Sequence, residues 1–386
     1  MYITRIQLKN WKNFSEVDVP LTGRVFIVGP NAVGKSNFLD AFRFLRDIAM
    51  PDGGLQRAVN VRGGITKIRN LNARQDPEIQ ICVELSDKVG ESPIWKYAIG
   101  LRQETRGERR PYLTFEKIWQ GEVLLLDRAM GKENETISTL SQTWLEQSSQ
   151  NEKYKPLRKE LQEIMYYHLV PQLLRYPMVY GSKDQEHDPF GQGFLKKINQ
   201  TPKKTQKHRL NVINDLLSKA VPQIKDLTVE PDDGGKPHLH ARYEHWRPNA
   251  GKQDETDFSD GTLRLIALLW TIMENKGILL LEEPELSLHN AIVSRLPFLF
   301  AQSQKSKKVK RQYIVTSHSE TLLSDESISM NDVLRFVPTP KGTVCQVLSQ
   351  NEQCMEEHKN GVPIAEMVES VTAPPQIGQL RIPGLE

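Results

Sequence analysis

The residues best equipped for chemistry are "GPNAVGKS", residues 29–36, in which Gly29, Gly34, Lys35 and Ser36 fit the P-loop pattern Gly-x4-Gly-Lys-Ser/Thr. Successive backbone N–H groups of such a loop wrap a β-phosphate, and Lys35 offsets β- and γ-phosphate charge. The Ser36 hydroxyl is a Mg²⁺ ligand, and Asn31, Ala32, Val33 and the following Asn37 complete the cradle. The alternative is a plain glycine turn joining a strand to a helix. A second candidate is "GILLLEEPE", residues 277–285, an apolar strand ending in carboxylates. Beside a P-loop, Glu282 would hold Mg²⁺ through water and Glu283 would orient or deprotonate an attacking water. Its alternative is a buried strand followed by a solvated acidic turn. The third is His318 in "YIVTSHS", placed to hydrogen-bond a γ-phosphate and the attacking water, or else a satisfied loop histidine.

A fourth stretch, "DFSDGTLRLIALLW" from Asp257 to Trp270, puts Ser259, Asp260 and Gly261 directly before an amphipathic run. It reads as a helix whose N-terminus offers a hydroxyl and backbone N–H groups to an anion. A chain that already has one phosphate cradle thus carries a second helix end suited to phosphate.

These groups need elements to hold them. "RVFIVG" is a short β-branched strand, and "KSNFLDAFRFLRDIA" places Phe38, Leu39, Phe42 and Leu45 at helical spacing, giving strand, loop and helix around the P-loop. From about 78 to 127, four period-two runs separated by turns predict an antiparallel sheet. Residues 134–180 turn polar and helical, with "KPLRKELQEIMYYHLVPQLL" the clearest amphipathic piece. Farther on come the basic stretch "FLKKINQTPKKTQKHRL", the helix "LNVINDLLSKAV", a hairpin around Asp233 and Gly234, and a helix from about Asn290. The expected division is a first lobe over 1–130, a helical insertion with a basic linker over 131–220, and a second lobe over 221–386. The polar tail, with Pro374 and Pro375, argues against a long final element.

Composition narrows the classes. With 26% charged and 38% hydrophobic residues the chain has the profile of a soluble globular protein. No apolar run approaches the roughly 20 residues of a membrane span, and "MYITRIQLKN" lacks the apolar region of a secretory signal, so no membrane contact and a cytoplasmic location are expected. Cys82, Cys345 and Cys354 lack metal-ligand spacing and read as reduced structural thiols. His238, His240 and His245 alternate along a strand without closing a ligand set. The net charge of +3 is too small to argue nucleic-acid binding; the runs "LKKINQTPKKTQKHR" and "KSKKVKR" either track phosphates, dock an acidic partner or are solvated surface.

The order P-loop, "FSDGT", "LLLEEPE", "TSH" resembles an ABC-type, AAA-family ATPase of the SMC and RecF kind, and most of all the OLD-like ATPases of bacterial antiphage systems. The resemblance covers roughly residues 1–100 and 220–345. It implies an α/β ABC-ATPase head with a mixed sheet, an antiparallel β subdomain and a helical insertion. It also implies ATP and Mg²⁺ as cofactors, and a head-to-head dimer or larger assembly in which Ser259 and Gly261 complete the ATP site of the opposite subunit. Lys12 and Asn13 in "NWKNF" match the turn flanking the nucleotide, and Ser287 and His289 match the loop crossing the dimer interface. Lys12 as a solvated lysine and Ser287 as a helix cap are the alternatives.

The chain departs from the family pattern in three places. Leu-Ser-Gly-Gly is replaced by Phe258-Ser259-Asp260-Gly261, the usual Asp of the acidic strand is Glu282, and Gln75 lies in the region of the Q-loop glutamine without a supporting pattern. The residues after His318 show no Toprim-like acidic constellation, and no long heptad pair is present. The expected arrangement is therefore an ATPase paired with a separate effector, as in the PARIS-type systems that pair an ATPase with a Toprim-type nuclease. A DNA-loading RecF-like ATPase and an ATP-bound scaffold with little turnover remain as alternatives.

Overall fold

In the computed structural model the described residues are 1–147, 152–176, 188–244, 251–274, 277–305 and 311–372. Most of "KSKKVKR", His245 and the Pro374–Pro375 tail lie outside them. The strands in chain order are β1 (Tyr2–Trp11), β2 (Phe14–Pro20), β3 (Arg24–Val28), β4 (Ile79–Ser86), β5 (Trp95–Gln103), β6 (Pro111–Gln120), β7 (Val123–Ala129), β8 (Met165–Tyr167), β9 (Ile224–Pro231), β10 (Pro237–Tyr243), β11 (Lys252–Asp254), β12 (Gly277–Glu282), β13 (Arg311–Thr316), β14 (Val333–Thr339) and β15 (Gly342–Val347). Contacts divide the chain into two compact units. The first comprises Met1–Met165, Lys276–Leu280 and Lys307–Glu386, the second Tyr166–Asn275 and Leu281–Ser306.

The first unit contains a six-stranded sheet in the order β2-β1-β4-β5-β6-β7. Its β4–β7 runs pair antiparallel where the period-two pattern predicts, and β1 pairs antiparallel with β4. A second sheet has the order β15-β14-β3-β13-β12-β8, with β3 parallel to both β13 and β14. β3 and β13 are buried almost throughout, as an apolar β-branched strand covered on both faces must be. The P-loop helix, Lys35–Ala49, sends Phe38, Phe42 and Phe44 into the core, where Phe38 meets Phe14 and Phe336 edge-on at 6.1 and 5.4 Å.

In the second unit β9 and β10 form the expected hairpin and continue to β11. The helix Lys203–Ala220 starts earlier than "LNVINDLLSKAV" and takes in much of the basic stretch, while Phe194–Gln200 forms a separate helix. The helix expected near Asn290 is two shorter ones, Asn290–Val293 and Leu296–Gln304, the second with Pro297 in its first turn.

One reading is corrected. The amphipathic stretch 155–174 is not a continuous helix: Lys155–Gln162 is helical, β8 follows, and Pro171–Arg175 is a second short helix. Pro171 cannot donate to a helix running through it and holds Val170 extended, at φ −114° and ψ 107°. The aromatic pair Tyr166–Tyr167 suits a strand better than a helix, so the 3.6-residue spacing across this stretch is coincidental.

Candidate functional site

The P-loop joins β3 to its helix through left-handed backbone at Ala32 (φ 61°) and Gly34 (φ 104°). The Lys35 ammonium is drawn back over the loop onto the carbonyls of Gly29 at 2.9 Å and Pro30 at 3.1 Å, and the residue is buried. Asn31, Ala32 and Ser36 stand exposed at the mouth of the loop. A buried ammonium on the loop and an exposed hydroxyl beside it are donors that a triphosphate with Mg²⁺ requires.

Asn13 braces this loop from beneath. Its Nδ2 donates to Val33 O at 2.6 Å and to Thr343 Oγ1 at 2.7 Å, and its Oδ1 accepts from Asn37 Nδ2 at 2.8 Å. Thr343, on β15, also donates to Val33 O. A Cβ at Gly34 would stand 2.1 Å from Asn13 Nδ2, so only glycine fits there. Lys12 is not a loose surface lysine: its ammonium pairs with Asp40 at 2.6 Å, and Arg62 binds the same carboxylate at 3.0 Å. Burial works against charge on Asp40, but Arg62 and Lys12 outweigh it and hold the carboxyl below its usual range. His318 is exposed just beyond β13, whose Thr316 lies beside Ile27 of β3. Ser317 N donates to Ile27 O at 3.1 Å, so His318 leaves the sheet at the end where β3 enters the P-loop.

The second unit holds the other candidate residues. Ser259 caps the helix Asp260–Met273; its Oγ accepts from Thr262 N at 3.1 Å and lies 2.9 Å from Thr262 Oγ1. Asp260 turns sideways, taking hydrogen bonds from Arg175 Nη2 at 2.8 Å and Gln172 Nε2 at 2.9 Å. Its carboxylate is thus engaged by the Pro171–Arg175 helix. Gly261 lies under the loop that follows β12, and a Cβ there would stand 2.4 Å from Ser287 O.

That loop is conformationally strained. Glu283 and Ser287 have φ of 43° and 63°. Positive φ at residues other than glycine is uncommon and is often found at functional sites. Ser287 is not a helix cap; His289 is, its Nδ1 accepting from Ala291 N at 3.2 Å. Glu282 accepts a hydrogen bond from the Tyr166 phenol.

Arg264, Tyr166 and Thr343 escaped the sequence reading. Arg264 is buried and donates to the carbonyls of Leu286, at 2.9 Å, and Leu169. Burial pulls its guanidinium below the usual value, while Glu285, Glu283 and Asp260 oppose that shift. The signal for it was present: a single charge within the otherwise apolar run "LRLIALLW". Nothing in the sequence marked Tyr166, since it fell in the stretch taken for helix. Among the described residues no group of three or more His, Cys, Asp or Glu is arranged to hold a metal by itself, and no helix is long and apolar enough to cross a membrane.

Residues 24–325 match the family described as "AAA domain, putative AbiEii toxin, Type IV TA system". The chain belongs to this family. Two solved structures share the fold of this AAA-domain protein at 15% identity. One is an SMC head bound to the C-terminal winged-helix domain of ScpA, with a TM-score of 0.54 over 90% of this chain and 98% of that one. The other is an SMC head with an extended coiled coil bound to the C-terminal domain of ScpA derived from Pyrococcus furiosus, with a TM-score of 0.50 over 93% and 99%. The fold is thus the α/β ABC-ATPase head, and the resemblance to SMC-, RecF- and OLD-like ATPases is borne out. Short stretches are also similar to the endonuclease GajA of Bacillus cereus, 45% identical over 47 residues, and to the DNA replication and repair protein RecF of Roseiflexus castenholzii, 36% identical over 58 residues. These stretches span 8% and 15% of those proteins, and 12% and 15% of this chain.

Proposed function

We propose that the chain binds ATP with Mg²⁺ and hydrolyses it in a head-to-head dimer or larger assembly, and that this cycle controls a separate effector in antiphage defence. The observation that carries the ATPase reading is the braced P-loop, with Lys35 drawn over its carbonyls and Ser36 exposed beside it. ATP bound there supplies the phosphoanhydride, and Mg²⁺ offsets the charge on its phosphates. Lys35 and the loop N–H groups bind the phosphates, and Ser36 and Glu282 are the residues that hold the metal. Glu283 orients and deprotonates the attacking water, and His318 hydrogen-bonds at the γ-phosphate position. Ser259 and Gly261 serve the nucleotide of the opposite subunit, which explains a second phosphate-suited helix end in a chain that has its own P-loop.

The experiment is to compare wild type with Glu283→Gln, measuring ATP turnover and particle mass with and without ATP. The variant should lose turnover and accumulate an ATP-bound oligomer. A wild type that stays monomeric at saturating ATP, with undiminished turnover in the variant, would overturn the mechanism.

The effector side of the proposal is supported by the short similarity to GajA, an endonuclease. A second reading, a DNA-loading ATPase, is favoured by the similarity to RecF and by the exposed Lys196, Lys203, Lys204 and Lys207 on neighbouring helices. It requires ATP turnover to rise with added duplex DNA and that rise to vanish with increasing salt.

A further inference from the structure

The three-residue strand β8 interrupts a stretch whose spacing suits a helix, and it lies beside β12 in the sheet. Its placement brings the phenol of Tyr166 to Glu282 Oε2, to which it donates a hydrogen bond. We propose that Tyr166 is a positioning residue for the metal-holding carboxylate, fixing Glu282 in the orientation from which it reaches the water on Mg²⁺. This inference rests on the ATPase reading above.

The chemistry of the pair favours this role. Glutamate has three side-chain torsions, and Glu282 sits half-exposed at a strand end, so a hydrogen bond to its carboxylate narrows its rotamers. Tyrosine has two torsions and a rigid ring, so one fixed donor settles the direction of a flexible carboxylate. A lysine or arginine in the same place would also orient it, but would quench the negative charge that makes it useful to a cation. A phenol donates while leaving that charge in place. The next residue helps hold the strand: Tyr167 accepts from Lys197 Nζ at 3.0 Å, and Lys197 pairs with Glu274 at 2.5 Å. Groups that orient a metal-holding residue without touching the metal commonly matter about 10- to 100-fold in metal affinity.

The test is Tyr166→Phe, which keeps the ring and removes one O–H, with binding of a fluorescent ATP derivative followed during Mg²⁺ titration and again in EDTA. The Mg²⁺ concentration for half-maximal binding should rise about 10-fold, while affinity in EDTA stays at the wild-type value. In a Glu282→Gln background the same substitution should add nothing, because the group it orients is gone. Equal Mg²⁺ midpoints in Tyr166→Phe and wild type, or equal losses in both backgrounds, would overturn the inference and leave the ATPase reading standing. If wild type binds the derivative with no dependence on Mg²⁺, the reading and the inference fall together.

Discussion

Gly261 and Ser287 approach so closely that a single Cβ on the glycine would stand 2.4 Å from the serine carbonyl oxygen. The start of the Ser259-capped helix and the strained loop after Glu283 are therefore held as one piece. Gly261→Ala forces them apart at a cost of about 1–3 kcal/mol, the usual range for overpacking. Its melting temperature should fall, and ATP-dependent oligomer formation should weaken, while ATP binding to the monomer is retained. Calorimetry and light scattering with ATP check both; an alanine variant that assembles like wild type would show that the contact is not part of the assembly surface.

Lys35 donates to two carbonyls of its own loop, Gly29 O and Pro30 O, and its ammonium sits where phosphate charge would lie. A charged donor to phosphate contributes about 1.5–3 kcal/mol. Lys35→Ala should thus bind ATP at least ~10-fold more weakly, by roughly 1.4 kcal/mol per decade, with turnover abolished. Titration calorimetry decides it, and unchanged affinity would remove the P-loop from the proposed function.

Asn13→Ala separates bracing from binding. The variant loses the hydrogen bonds to Val33 O and Thr343 Oγ1 and the one accepted from Asn37, leaving buried partners to find others. A stability loss of about 1–3 kcal/mol is expected, together with weaker ATP binding, because the loop carries the phosphate donors. Denaturant melts with and without ATP measure both; full ATP affinity at reduced stability would make Asn13 a purely structural residue.

Local motifs were legible because they depend on neighbours in sequence. The P-loop helix begins at Lys35, the acidic strand ends at Glu282, and Ser259 caps its helix where the motif places it. What stayed hidden depends on residues far apart in the chain. Asn13 meets Thr343 across 330 positions, and Tyr166 meets Glu282 across 116. Tyr166 was further obscured because a helical hydrophobic period carries no information about a three-residue edge strand, and only Pro171 hinted at the break. Asp260 likewise meets its partners, Arg175 and Gln172, only through the fold.

Away from these motifs, the antiparallel sheet carries a titrating group of its own. Glu116 is fully buried, accepting hydrogen bonds from Tyr97 at 3.0 Å, Arg128 at 2.9 Å and Trp144 N at 3.0 Å. Burial pushes its carboxyl up from 4.5 to about 7, against the downward pull of Trp144 N–H, Arg128 and Tyr97. Below pH 4.5 folded and unfolded chains both hold the proton. Between there and about 7 the folded protein keeps a proton that the unfolded chain has released, so stability falls as pH rises through this window. Above it both states are ionised and the loss is complete, on the order of 3 kcal/mol at about 1.4 kcal/mol per pH unit. Glu116→Gln removes the titration, so the stability difference between wild type and variant should move against wild type by that amount from pH 4.5 to 7.5. Urea midpoints at the two pH values measure it. A difference that does not change with pH would mean that Glu116 is ionised in the folded protein across the whole range.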